Sequence, residues 1–229
     1  VTLEALKEMH LTPEDIQLIQ NDTKTCPDTG MAGASRSLYM DGNATIIAAN
    51  KLLAAMRKED GTLRTYDEMK AEGIETKYLG RYETNTTPGL CRLDPNTGIG
   101  DPTPAFTYCL NLAEVEVDTK TGKTTVLKFT CVDFVGRIGN IDAVNGQAYS
   151  GIMHGIGFAL KEDYADVKKH ANMFGAGTSY IKDVPDDINL IHIDGAISDG
   201  PFGSSGASEA FQASGHCAVL NGIYNACGV

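Results

Sequence analysis

One acidic residue, Glu209, stands where this sequence could place a catalytic base. It follows a run of small residues, Pro201-Phe202-Gly203-Ser204-Ser205-Gly206-Ala207-Ser208, and directly precedes apolar residues spaced three and four apart in a helical pattern. The pattern predicts that Ser208 or Glu209 begins this helix, where the helix dipole favours an anion. The small side chains ahead of it let a ligand approach the backbone closely. Because an ordinary acidic residue in a first helical turn gives the same pattern, a second site must decide between the two interpretations.

A second segment suited to ligand binding is the loop from Asn21 to Ser37, which is rich in small and hydroxyl side chains. It joins a strand-like run to a helical pattern, so its backbone N–H groups and hydroxyls can contact a ligand with many polar edges. An equally simple interpretation is a capped turn in which Ser35 is the helix N-cap. The loop has neither a G-x-x-x-x-G-K-[ST] nor a G-x-G-x-x-G pattern, so an ordinary nucleotide-binding loop is not predicted.

The elements that position these segments predict an α+β fold, with mixed sheets packed against helices. Two units in which a loop leads into a helix, near Ser35 and near Glu209, suggest two helix-on-sheet lobes. The predicted elements are the end of a helix at 2–9, helices at 37–57, 66–70 and 142–160, strands at 16–19 and 188–193, a hairpin of strands at 106–118 and 123–134, and a last helix after Glu209. Residues 59–103, which are polar and rich in Gly, Pro and Thr, predict an excursion or surface loop.

The last helix has a predicted apolar face, and the helix at 142–160 is rich in glycine. The apolar face comprises Ala213, Cys217, Leu220, Tyr224 and Cys227, and the glycines are Gly146, Gly151, Gly155 and Gly157. Glycine weakens a helix by roughly 1 kcal/mol per residue relative to alanine. We therefore expect tertiary packing to hold this helix, with the glycines allowing another backbone or a ligand to approach closely.

Together with Asn145-Gly146-Gln147, these segments resemble the molybdenum-binding subunit of the xanthine oxidase family, also called the molybdenum hydroxylases. Within that family the chain is most similar to the aldehyde oxidoreductases of anaerobic bacteria. The resemblance covers essentially the whole chain, through Asn21-Asp22-Thr23, Cys26-Pro27, Gly42-Asn43-Ala44, Thr65-Tyr66-Asp67-Glu68, Ala113-Glu114-Val115-Glu116-Val117-Asp118 and Asp199-Gly200-Pro201-Phe202-Gly203. It implies that residues 1–229 form the C-terminal half of a molybdenum cofactor-binding domain.

The resemblance implies residue roles at three places. Glu209 corresponds to the catalytic base beside the molybdenum. The small-residue loop corresponds to a segment over the metal that hydrogen-bonds the pterin, which assigns cofactor contacts to Gly33, Ala34, Ser35 and Ser37. Gln147 corresponds to a glutamine that opens a helix and contacts the cofactor. No protein side chain is expected to ligate the metal.

The implied activity is that of a molybdenum-pterin hydroxylase or oxidoreductase, which oxidises an aldehyde or an N-heterocycle with water as the oxygen source. The form of the pterin, with or without a cytosine dinucleotide, stays open. The expected partners are the first half of the molybdenum-binding subunit and an iron–sulfur domain or subunit, because the chain lacks the cysteine spacing of iron–sulfur clusters. The alternative is a non-catalytic structural or assembly module of a larger complex.

Two segments depart from the family's pattern. The usual Val-Gly-Glu becomes Ala207-Ser208-Glu209, which adds a hydroxymethyl group directly before the expected base. Ahead of Gln147, the segment Asp133-Phe134-Val135-Gly136-Arg137 is one residue longer than the expected Asp-x-Gly turn.

Composition narrows the remaining function classes. The chain has 229 residues, of which 42% are hydrophobic, and a formal charge of −11, which disfavours the phosphate-neutralising surface of a nucleic-acid-binding protein. It contains no apolar run long enough to span a membrane. The cysteines are dispersed, which predicts free thiols and a cytoplasmic location: Cys26, Cys91, Cys109, Cys131, Cys217 and Cys227. The histidines are also dispersed, which predicts that no protein side chains ligate a metal: His10, His154, His170, His192 and His216.

Overall fold

The chain folds into two compact units in the computed structural model, which describes residues 1–20, 22–84, 93–100, 103, 105–197 and 199–228. Unit 1 comprises Val1–Phe106 and Ser198–Ser205, and unit 2 comprises Thr107–Ile197 and Gly206–Val229. Asn21, Cys91 and residues 85–92 and 101–102 of the predicted excursion lie outside the described ranges. The mixture of helices with a mixed sheet confirms the α+β prediction.

Unit 1 is helical in its regular parts. Its described helices are α1 (Thr2–Ala5), α2 (Ser37–Met56) and α3 (Tyr66–Ala71), and 3₁₀ turns lie at Lys7–Met9, Pro13–Asp15 and Pro201–Gly203. The predicted helices at 37–57 and 66–70 are confirmed. The predicted strand at 16–19 is wrong: the segment is irregular, and Leu18 and Ile19 are exposed. A short apolar run forms a strand only where another strand pairs with it, and no described strand runs beside this one.

The short helix α3 begins at Tyr66 because its N-terminus is capped from both sides. Thr65 Oγ1 accepts a hydrogen bond from the Glu68 amide at 3.2 Å, and Glu68 Oε2 accepts one from the Thr65 amide at 2.7 Å. Lys58 Nζ lies 2.7 Å from Glu68 Oε1. The Lys58 hydrogen bond, followed by those from Thr65, lowers the pKa of Glu68 to about 2.

Unit 2 is built on a three-stranded sheet in the order β1-β2-β3, comprising β1 (Tyr108–Val117), β2 (Thr124–Phe134) and β3 (Asp187–His192). The first pair is antiparallel and the second is parallel. The predicted hairpin and the predicted strand near 188–193 are therefore confirmed. The helices of this unit are α4 (Ile141–Leu160), α5 (Met173–Ala176), α6 (Ser208–Ala213) and α7 (Gly215–Cys227). None of the helices in the described ranges combines the length and the apolar character that a bilayer span requires.

The core of unit 2 lies between the inward face of the sheet and helices α4, α6 and α7. Its buried residues are Val126, Phe129, Cys131, Val135, Ala148, Ile152, Ile156, Phe211 and Val219. The predicted apolar face of the last helix is wrong, because Val219 is buried whereas Leu220 and Tyr224 are exposed. The last helix also consists of two helices, α6 and α7, with Ser214 between them.

Glycines explain both the packing of α4 and the face that α7 buries. A Cβ atom on Gly151 would lie 2.5 Å from Phe211 Cβ, and one on Gly155 would lie 2.8 Å from Gly215 Cα. On α7, a Cβ atom on Gly222 would lie 2.9 Å from Val115 Cγ2. These distances are too short for a side chain at any of the three positions, so glycine is needed for the close approach of α4 to α6 and α7 and of α7 to β1. The predicted close backbone approach at Gly151 and Gly155 is confirmed.

Candidate functional site

The small-residue loop of unit 1 reaches α2 through two consecutive residues in the left-handed backbone region, Ala34 (φ 55°) and Ser35 (φ 53°). Residues with a Cβ atom disfavour this region by roughly 1–2 kcal/mol each. Nearby, Arg36 Nη2 donates a hydrogen bond to the Met31 carbonyl oxygen at 2.6 Å. The proposed N-cap role of Ser35 is wrong, because α2 begins at Ser37 with Arg36 as its N-cap residue.

Three of the four predicted cofactor contacts in this loop are open to solvent. Gly33, Ala34 and Ser37 are exposed, and Ser35 is half-buried. Apart from its chain neighbours, no heavy atom of the described residues would lie within 4 Å of a Cβ atom on Gly33. The loop backbone is therefore accessible to a ligand on this side of unit 1.

Helix α2 is bound to the turn that precedes Glu209 in the sequence. Asn43 Nδ2 donates a hydrogen bond to the Asp199 carbonyl oxygen at 2.9 Å. A Cβ atom on Gly42 would lie 2.6 Å from Pro201 Cγ, so helix and turn are in close contact. Two segments that are far apart in the sequence, and that both carry the family resemblance, thus meet inside unit 1.

The turn itself is held in a restricted shape. A side chain on Gly200 would collide with the Ser204 carbonyl oxygen, so the position requires glycine. Phe202 has a φ of 54°, which is uncommon for a bulky residue. Ser204 and Ser205 are buried. Four residues after Ser205, the chain reaches Glu209.

Glu209 and Gln147 lie on two helices of unit 2 that pack directly against each other. Helix α6 begins at Ser208, which confirms the predicted helix start, and Glu209 is exposed in its first turn. Gln147 is exposed near the start of α4. Gly151, one turn after Gln147, contacts Phe211, which lies two residues after Glu209 and is fully buried. The packing of Phe211 therefore anchors the helix that carries the predicted base.

A buried polar network near the start of α4 was not predicted from the sequence. Asp133 Oδ2 lies 2.6 Å from His192 Nδ1, and His192 Nε2 lies 2.8 Å from Asn145 Oδ1. Asp133 is 1% exposed, and among the described residues its buried Oδ1 has no hydrogen-bond partner. Burial raises the pKa of the Asp133 carboxyl, and the hydrogen bond from His192 only partly offsets this increase.

The alternation of inward and outward residues along β2 contains a sequence signal from which the buried Asp133 could have been predicted. Phe129, Cys131 and Asp133 share the inward face of β2, so an acidic residue occupies a core position. The partner could not be found in the same way, because Asp133 and His192 are opposite each other only through the parallel pairing of β2 with β3. Among the described residues, no group of three or more His, Cys, Asp or Glu side chains could hold a metal ion.

The match to a protein-family model defines the class of this domain. The family model of the molybdopterin cofactor-binding domain matches residues 2–185. The chain therefore belongs to this family of domains, within the xanthine oxidase family of molybdenum hydroxylases.

Similar proteins include bacterial aldehyde oxidoreductases. The aldehyde oxidoreductase of Megalodesulfovibrio gigas is 42% identical over 226 residues, which cover 99% of this chain and 25% of the relative. The crystal structure of the aldehyde oxidoreductase from Desulfovibrio desulfuricans superposes with a TM-score of 0.90 at 44% identity, over 99% of this chain and 24% of that one. The structure of the Desulfovibrio gigas enzyme gives a TM-score of 0.91 at 41% identity, over 100% and 25% of the two chains. This chain thus spans about a quarter of the length of these relatives.

Proposed function

We propose that the chain contributes the catalytic base and part of the cofactor-binding surface of a molybdenum-pterin aldehyde oxidoreductase. The observation that carries this proposal is the contact of α2, through Gly42 and Asn43, with the turn Asp199–Pro201. It joins the helix that follows the small-residue loop to the segment that leads into Glu209. The similarity to aldehyde oxidoreductases across nearly the whole chain supports an aldehyde as substrate, and an N-heterocycle is the alternative.

Two open backbone positions support the assignment of a pterin cofactor. At Gly33 and Gly146, a Cβ atom would lie more than 4 Å from every heavy atom of the described ranges beyond the chain neighbours. A flat, polar ligand can therefore approach the backbone beside Ala34 and beside Gln147. We assign cofactor contacts to the backbone of Gly33 and Ala34, the hydroxyls of Ser35 and Ser37, and the amide of Gln147.

Glu209 is assigned the role of general base. When bound, the molybdenum-pterin group would supply the two-electron redox chemistry and an oxygen atom derived from water. Glu209 accepts the proton that is released as oxygen is transferred to the substrate, a contribution of typically about 10²–10⁴-fold in rate. Its carboxylate is exposed on unit 2, so it can reach a ligand without rearrangement of the core around Phe211.

Completion of the site requires further polypeptide. The proposed partners are the first half of the molybdenum-binding subunit and an iron–sulfur domain or subunit that carries the electrons away, in the cytoplasm. The length of the relatives, about four times that of this chain, supports this assignment. The pterin is assigned either with or without a cytosine dinucleotide extension.

The proposal is tested on the complex purified after co-expression of the chain with the products of neighbouring genes. We expect molybdenum and pterin in equal amounts per chain, and oxidation of an aldehyde coupled to a dye acceptor. A complex that forms but contains neither molybdenum nor pterin would instead support the assembly-module alternative.

The base is tested by Glu209→Gln in the same complex. We expect molybdenum and pterin content to be retained while turnover falls by about 10²-fold or more, because the amide cannot accept the proton. Glu116→Gln, at an exposed position of β1, is the matched control and should retain wild-type turnover. Near-normal turnover of the Glu209→Gln complex would remove this residue from the base role.

A further inference from the structure

The Asp133, His192 and Asn145 network connects three elements of unit 2 at one point. Asp133 and His192 are paired residues at the ends of the parallel strands β2 and β3. Asn145 lies in the first turns of α4, two residues before Gln147. The network therefore links the end of the sheet to the part of α4 that carries a proposed cofactor contact.

The amide oxygen of Asn145 decides which ring nitrogen of His192 carries a hydrogen. Asn145 Oδ1 can only accept, so its contact with His192 Nε2 at 2.8 Å requires a hydrogen on Nε2. On the other side of the ring, Asp133 Oδ2 lies 2.6 Å from Nδ1. The proton between these two atoms lies either on the carboxyl group, with a neutral imidazole accepting, or on Nδ1 of an imidazolium that donates to the carboxylate.

Asn145 in turn ties the start of α4 to the end of the sheet through its contact with His192. Residues two apart in a helix point about 200° apart, so Asn145 is half-buried against the sheet while Gln147 is exposed. The first residue of α4 that is fully buried is Ala148. Gly146 lies between Asn145 and Gln147 in open space, which weakens the helix locally. The bond to His192 anchors the first turns of α4 where apolar packing is weakest.

We propose that Asp133, His192 and Asn145 are positioning residues that set the direction in which the Gln147 side chain meets the pterin cofactor. This inference rests on the proposed function, since it takes Gln147 as a cofactor contact. Within the part of the chain that the structure describes, Asp133 Oδ1 is buried without a hydrogen-bond partner, and an unpaired buried polar atom costs stability. The network therefore has features of a site kept for positioning rather than for stability alone.

The test measures cofactor release from the purified complex, by following pterin fluorescence and bound molybdenum after dilution. We expect Asn145→Ala and Gln147→Ala each to release the cofactor about 10-fold faster or more, the range in which residues that orient a ligating group act. Asn145→Asp keeps an acceptor for His192 Nε2 and should restore slow release. In the double variant, the rate of cofactor release should equal that of Gln147→Ala alone, because Asn145 acts through Gln147.

A control substitution at a second histidine distinguishes an effect on cofactor positioning from an effect on overall stability. His192→Leu should accelerate cofactor release, whereas His216→Leu should not, although His216 also packs on α4 through Phe158, with ring centroids 6.4 Å apart. Thermal unfolding of each variant, measured alongside, shows whether release follows global stability instead.

Three outcomes would overturn the inference, and each is distinguishable from the others. Wild-type release by Asn145→Ala, with fast release by Gln147→Ala, removes the network from positioning and leaves the proposed function intact. Fully additive effects in the double variant show that Asn145 does not act through Gln147. A wild-type complex without molybdenum and pterin contradicts the proposed function itself.

Discussion

Ala34 combines a left-handed backbone conformation with a small side chain. Its φ of 55° would suit glycine better, yet the residue is alanine and is exposed. We propose that the loop faces the cofactor, where a methyl group is the largest side chain that the position accommodates.

We predict that Ala34→Leu in the complete enzyme raises the Michaelis constant or lowers the rate, because the larger side chain obstructs the metal or the substrate. Steady-state kinetics with an aldehyde, together with molybdenum content, measure this effect. Ala32→Leu, at another exposed position of the same loop, is the control for added bulk. An unaltered Michaelis constant and rate in Ala34→Leu would contradict the placement of this residue.

Helix α3 provides the clearest pH dependence among the individual elements. The pKa of Glu68 falls from an ordinary value of 4.5 to about 2 in the folded chain. Since the folded state holds the carboxylate more strongly, the stabilisation is complete above about pH 4.5 and is lost as the pH falls toward 2.

We therefore predict that Glu68→Gln flattens the acid side of the curve of unfolding midpoint against pH, and lowers the midpoint mainly at neutral pH. Thermal unfolding followed by circular dichroism in this range measures it. Glu59→Gln changes an exposed carboxylate nearby and should leave the slope unchanged. The interpretation fails if both variants have the same acid slope as the wild type.

Substitution of two glycines of α4 by alanine should change the free energy of unfolding in opposite directions. Gly151→Ala places a methyl group 2.5 Å from Phe211 Cβ, and such overpacking destabilises by about 1–3 kcal/mol. Gly146→Ala meets open space and should stabilise by about 1 kcal/mol, because alanine is the better helix former. Urea unfolding of the two variants measures both free energies. Equal effects of the two substitutions would show that helix propensity, not packing, governs these positions.

Helix propensity and capping made several elements predictable from the sequence. Thr65 and Glu68 form a capping box that can be recognised three residues apart, and the alternation on both sides of Gly122 gave the hairpin. The face that α7 buries was not predictable, because hydrophobic periodicity scores Leu220 and Tyr224 but not Gly215 and Gly222. Glycine contributes to burial only when another backbone approaches it, which depends on tertiary contacts.

Unit 2 as a whole depends on a core to which the sheet and three helices contribute. Phe129 is fully buried at its centre, in the same cluster as Ile152, Phe211 and Val219. We predict that Phe129→Ala lowers the free energy of unfolding by about 3–5 kcal/mol, whereas Phe174→Ala, at an exposed position of α5, has an effect within about 0.5 kcal/mol. Chemical denaturation of both variants measures the difference. A small effect of Phe129→Ala would mean that the sheet and helices are stabilised elsewhere.

The sequence by itself determined the family, the α+β class, most helices and the hairpin, and the residues proposed for the cofactor site. These properties depend on local signals: residue spacing, caps, turn residues and motifs that are short in the sequence. Only the tertiary structure decided that Gly42 and Asn43 contact the turn before Glu209, and that Asp133, His192 and Asn145 join. Those contacts link residues 47 to 156 positions apart, and a linear pattern does not specify which distant residues become neighbours when sheet and helices pack.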